Sequence, residues 1–106
     1  MISKIADEKI YNIINENDTV LISFFSPMDM ASGLVNKNLN VVDSDYGDKL
    51  QIVLVDTFEA KELVKEFKIL VVPTIIVFKE KRLIDRVHGY MPLDKITYML
   101  SRYIKK

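Results

Sequence analysis

The chain has 106 residues, 49% of them hydrophobic and 28% charged, which suits one domain spanning residues 1–106 around one core. Fifteen basic and fifteen acidic side chains leave a formal net charge of zero, so nothing points to nucleic acid, which favours a basic patch. The absence of cysteine excludes disulfides, thiolate catalysis and thiolate-held iron–sulfur clusters, and a single histidine argues against a zinc site.

Met1 is followed by Ile2-Ser3-Lys4-Ile5 and then by polar Asp7-Glu8-Lys9, with no apolar signal-peptide centre and no run long enough to cross a membrane. A cytoplasmic protein is expected, monomeric by default, with no membrane association, no metal and no cofactor. Ile2 to Ile5 alternates and predicts a short edge strand. Asp7 is a suitable N-cap, Glu8 favours the first turn, and Ile10, Ile13 and Ile14 recur at helical spacing until Asn15, Asn17 and Asp18. Val20 to Phe25 is β-branched and aromatic, and its continuous apolarity predicts a central strand buried on both faces. Ser26-Pro27 breaks it.

From Asp29 the stripe Leu34, Val35, Leu39 and Val42 predicts a long helix, stopped by Gly47. Gln51 to Asp56 is another buried strand. Phe58-Glu59 leads into a helix with Ala60, Leu63, Val64 and Phe67 on one face. Val71-Val72-Pro73-Thr74 introduces a strand through Phe78, and Lys79-Glu80-Lys81 is a hairpin turn without the Asn-Gly of the tightest turns. Arg82 to His88 is the return strand, ending at Gly89. Pro92 opens a last helix with Leu93, Ile96, Met99, Leu100, Tyr103 and Ile104 inward. The order β-α-β-α-β-α-β-β-α implies an α/β fold: a central mixed sheet with right-handed crossovers, helices on both faces and an antiparallel edge.

That order, with the residues it carries, resembles the thioredoxin family over essentially the whole chain. Val20 to Phe25 is similar to the family's strand leading into the active site, and Tyr46-Gly47-Asp48-Lys49-Leu50 to the tyrosine and Gly-Lys-Leu that end its long helix. Val72-Pro73-Thr74 matches the family's Ile-Pro-Thr, whose proline has a cis peptide bond and faces the active site. Phe78-Lys79 and Gly89 match further family positions, the glycine closing the peptide-binding groove.

The departures concern chemistry. Where the family carries Trp-Cys-Gly-Pro-Cys, this chain has Met28-Asp29-Met30-Ala31-Ser32, so the resemblance sets Asp29 and Ser32 at the cysteine positions. The family's buried aspartate corresponds to Ser23, its neighbouring lysine falls in apolar Ile52-Val53-Leu54, and its helix-kinking proline corresponds to Lys37. Disulfide oxidoreductase activity is therefore not expected. Asp29 at a helix start is either an N-cap or a carboxylate presented to a ligand, with no adjacent acid or histidine to support acid–base catalysis. Met28 and Met30 either pack against Phe25 or Pro73 or form an apolar lip, with Met30 expected to face water.

The resemblance also implies that an extended segment could pair with the Val72 backbone, which requires no thiol. The candidate groove is Met28, Met30, Ala31, Val72, Pro73, Thr74 and Gly89, and the expected partner is a protein or extended peptide. The alternatives are a docking or regulatory component of a thiol–disulfide system that has lost its own dithiol, and a purely structural relic or oligomer subunit; the groove itself is either functional or vestigial, kept because Pro73 and Gly89 hold the fold.

Overall fold

Thr19–Phe25 forms the middle strand of a five-stranded sheet in the computed structural model, which describes residues 1–105. In chain order the elements are β1 (Ile2–Lys4), α1 (Lys9–Glu16), β2 (Thr19–Phe25), α2 (Met30–Tyr46), β3 (Gln51–Asp56), α3 (Lys61–Glu66), β4 (Thr74–Lys79), β5 (Arg82–His88) and α4 (Leu93–Ser101), with a 3-10 turn at Gly47–Lys49 after α2. The sheet order is β1-β3-β2-β4-β5. β3 pairs in parallel with β1 and β2, whereas β4 runs antiparallel to β2 and β5 antiparallel to β4. The expected α/β architecture with an antiparallel edge is present.

The period of two along β2 divides the core. Val20, Ile22 and Phe24 enter one cluster with Ile10 and Ile14 of α1 and Leu63 of α3, while Leu21 enters the other with α2 and α4. Both faces are covered, so the near-continuous apolar run in the sequence has a direct cause. Phe67, just beyond α3, lies against Phe24 at a ring-centroid distance of 5.5 Å and stacks on Tyr11 at 6.1 Å.

Several boundaries and one face differ from expectation. In α2 the buried apolar residues are Val35, Leu39, Val42 and Tyr46, spaced four, three and four apart; Leu34 lies about 100° round the helix from Val35 and is exposed. The expected inward Leu34 is therefore corrected. α1 starts one residue later than the Asp7 cap implied, with Glu8 at the cap position, although the Asp7 carboxylate still accepts from the Lys9 N–H at 3.0 Å. Phe58-Glu59 precedes α3 as a turn, in which the Asp56 carbonyl accepts from Glu59 and Ala60 N–H. α4 ends at Ser101; Tyr103 and Ile104 follow in a turn on the Leu100 carbonyl, and Ile104 remains buried. Glu80 and Lys81 of the β4–β5 turn both have positive φ, 50° and 70°, a conformation that side chains with a Cβ disfavour.

Candidate functional site

Strand register brings four connections to one end of the sheet. Phe25 at the end of β2 faces Asp56 at the end of β3, Phe24 faces Thr74 at the start of β4, and Thr74 faces His88 at the end of β5. The segments 26–29, 57–60, 70–73 and 89–92 therefore crown the same edge of the fold. All the candidate residues from Met28 to Ser32, Val72 to Thr74 and Gly89 lie at this end.

The β2–α2 connection is held by short local hydrogen bonds. Asp29 is in extended conformation and is the N-cap of α2, its Oδ2 accepting from the Ser32 N–H at 2.8 Å and its carbonyl from Gly33 N–H at 3.2 Å. Ser32 is fully buried, and its Oγ accepts from the Ser26 N–H at 3.2 Å; Ser26 Oγ in turn accepts from Met28 N–H at 3.1 Å. One carboxylate oxygen of Asp29 is thus used by the helix, as its cap role requires. Ala31 is half-buried in the first turn. Beneath this turn, buried Ser23 donates to Asn36 Oδ1 of α2 at 3.0 Å, so the middle strand carries a neutral hydroxyl–amide pair where an acid could have stood.

Met28 and Met30 are 85% and 84% exposed. Packing against Phe25 or Pro73 is not realised for either. Both side chains flank the cap and face water.

The β3–β4 side of the site is built around a cis Val72–Pro73 peptide bond. The Pro73 carbonyl accepts from Gly89 N–H at 2.7 Å, and Gly89 has φ +85°, which a glycine adopts at little cost. Thr74 Oγ1 donates to the Val71 carbonyl at 2.7 Å and lies 3.2 Å from His88 Nδ1. A hydroxyl has one proton, so the His88 contact requires the proton on Nδ1. Thr57 donates both its N–H and its hydroxyl to the Phe25 carbonyl, at 2.9 and 3.1 Å. Among the described residues, no hydrogen bond engages the N–H or carbonyl of Val72.

Sequence reasoning missed several side chains here. Phe58, Leu70, Val71 and Tyr90 are exposed, Leu70 by 91%, and Leu34 stands one helical turn above Met30. With Met28 and Met30 they form an apolar rim. An open cavity of about 200 Å³ adjoins it at Leu70 and Val71, lined by these two with Thr57, Val64, Ile69 and Val72. The usable signal was present: Phe58 and Leu70-Val71 are large apolar residues in segments with neither helical nor strand period, where nothing in the core requires them. A larger cleft of about 390 Å³ lies between the residues before α1 and α3, lined by Phe58 of the rim and by Asp7, Glu8, Glu59, Glu62 and Glu66 among others. Its acids are partly committed, Glu59 to Lys4 at 3.6 Å and Glu66 to the Tyr11 hydroxyl. Among the described residues no group of acids or histidine could hold a metal ion, and no helix is long and apolar enough to cross a membrane.

A mixed sheet covered on both faces, with a capped helix start beside a cis-proline loop, defines a thioredoxin-type α/β fold. The family profile described as Thioredoxin matches residues 2–102, and the chain belongs to that family. The thioredoxin of Griffithsia pacifica is 27% identical over 105 residues, covering 98% of this chain and 96% of the relative. Among solved structures, a mutant thioredoxin from Halobacterium salinarum NRC-1 superposes with a TM-score of 0.90 at 15% identity, covering 99% of this chain and 92% of that one. A chain from the structure describing the thiol resolving mechanism in yeast mitochondrial 1-Cys peroxiredoxin via glutathione/thioredoxin systems superposes with a TM-score of 0.85 at 24% identity, covering 94% of each. Because this chain contains no cysteine, a dithiol active site is absent from it.

Proposed function

We propose that this chain is a non-redox binding domain of the thioredoxin family, a cytoplasmic monomer that takes an extended segment of a protein or peptide along Val72. The observation that carries the reading is the free main chain of Val72 inside an apolar rim. An extended segment would add main-chain hydrogen bonds there, and its alternate side chains would fall on Met30, Leu70 and the cavity beside Val72. Peptide pairing of this kind needs neither Asp29 nor Ser32 to react. Asp29 serves by fixing the start of α2 and with it the positions of Met28 and Met30.

A peptide library displayed against the purified protein tests the reading. Enriched sequences should be extended and apolar, and their affinity should fall by about tenfold or more for Met30→Asp and for Leu70→Asp, since each change puts a charge into an apolar contact. Both side chains are exposed, so both variants should unfold at the wild-type midpoint. Binders that tolerate both changes would refute the groove. Purified protein should also fail to accelerate reduction of insulin disulfides by a small thiol.

A second reading, a docking or regulatory component of a thiol–disulfide system, is favoured by membership of a family whose relatives here are named thioredoxin. It differs in its partner: the enriched segments would come from reductases or peroxidases of that system.

A further inference from the structure

The five methionines supply all the sulfur in this chain, and the fold sorts them. Met91 and Met99 are 7% and 2% exposed, inside the cluster under α2 and α4. Met28 and Met30 stand in water on either side of the Asp29 cap. Met1 is also exposed, by 68%, but β1 runs parallel to β3, so it lies at the opposite end of the sheet.

We infer that Met28 and Met30 form an oxidation site that converts the rim from apolar to polar, with a peroxide as the oxygen donor. The sulfur lone pair attacks one peroxide oxygen, the O–O bond breaks, and a proton moves to the departing oxygen. Methionine sulfoxide and water, or an alcohol from an organic peroxide, are the products; sulfur loses two electrons and the peroxide gains them. The product carries a strong hydrogen-bond acceptor in place of a soft thioether. Two features confine the change to the rim. The α2 cap is made by the Asp29 carboxylate and the Ser32 N–H, neither of which involves sulfur. The buried stripe of α2 contains no methionine. Oxidation therefore alters what the surface attracts and leaves the fold in place. The inference rests on the exposed rim, not on the peptide reading, and it survives if no peptide is ever found.

Peptide mapping after treatment of the full chain with hydrogen peroxide tests it directly. Trypsin separates the sulfurs into peptides 1–4, 10–37, 87–95 and 96–102, and fragmentation distinguishes Met28 from Met30. Met28 and Met30 should oxidise about tenfold faster or more than Met91 and Met99, because oxidation follows access. The oxidised protein should elute earlier from a hydrophobic-interaction column with its unfolding midpoint unchanged. The double variant Met28→Leu, Met30→Leu keeps the rim apolar and retains exposed Met1 as an internal control, so its elution should move on oxidation only by the small share that Met1 contributes. Equal rates at buried and rim methionines would overturn the site. An equal elution shift in the double variant would overturn the rim as its location.

Discussion

The two ends of the sheet treat exposed side chains in opposite ways. At the end where β2 and β4 meet the β4–β5 turn, polar groups are tied to one another: Lys79 Nζ lies 2.5 Å from Asp18 Oδ2, the Glu80 N–H donates to the Asp18 carbonyl at 2.8 Å, and Lys49 Nζ donates to the Lys105 carbonyl at 3.0 Å. At the other end, Met28, Met30, Leu34, Phe58, Leu70, Val71 and Tyr90 stand in water, and the Val72 main chain has no partner among the described residues. Both ends crown the same strands and lie over the same core. A fold needs only the core and the ladders, so an apolar rim at one end costs solubility without contributing to packing. That asymmetry is what the proposed function uses.

The sharpest contrast lies within α2. Leu39→Ala removes a fully buried side chain from the core and should cost about 2–5 kcal/mol, whereas Leu34→Ala, at the rim, should change stability by no more than about 0.5 kcal/mol. Urea unfolding of the two variants measures the difference. Equal losses would mean that Leu34 packs after all and that the rim is part of the core.

Next in size is the cap. Asp29→Ala leaves the Ser32 N–H without its acceptor and should destabilise by about 0.5–2 kcal/mol, with Asp29→Asn losing less because an amide oxygen can still accept. No loss would detach Asp29 from the helix start and restore the alternative of a carboxylate free for a ligand.

The opposite end is predicted to gain from a change that the rim cannot use. Glu80 and Lys81 occupy positive φ in a two-residue turn, so replacing them with Asn-Gly should stabilise by about 1 kcal/mol in thermal or urea unfolding. The smallest effect concerns pH. The Lys79 ammonium, hydrogen-bonded to Asp18, holds that carboxyl below its usual range. A depressed folded-state value means stabilisation that is present above the unfolded carboxylate range and is lost as pH falls through the folded value. Asp18→Asn should flatten the acid limb of the stability curve slightly, and because Asp18 is largely exposed, added salt should erase most of the difference.

The order of elements was legible in the sequence because it depends on period. The continuous apolar run of β2 and the alternating return strand translate directly into a strand with two covered faces and one at the edge. The Asp29 cap was legible for the same local reason. The face of Leu34 was not, because Leu34 and Val35 are adjacent apolar residues and only the neighbours of a folded helix decide which one is inward. The β3–β4 half of the rim escaped for a different reason. Phe58, Leu70 and Tyr90 are far apart in the chain and come to one end only through the parallel register of β3 with β2 and the antiparallel registers of β4 and β5. The partner of Ser23 was equally invisible, since Asn36 reaches it across the packing of α2 on β2.

Amide hydrogen exchange at Val72 tests the central claim most directly. In the free protein its N–H should exchange rapidly, as an unpaired loop amide does, while the amides of β2 remain protected. With a library-selected peptide bound, Val72 should become protected by about tenfold or more, and Met30→Asp should return it to the free rate. A peptide that binds tightly while Val72 exchanges as in the free protein would contradict main-chain pairing beside Pro73.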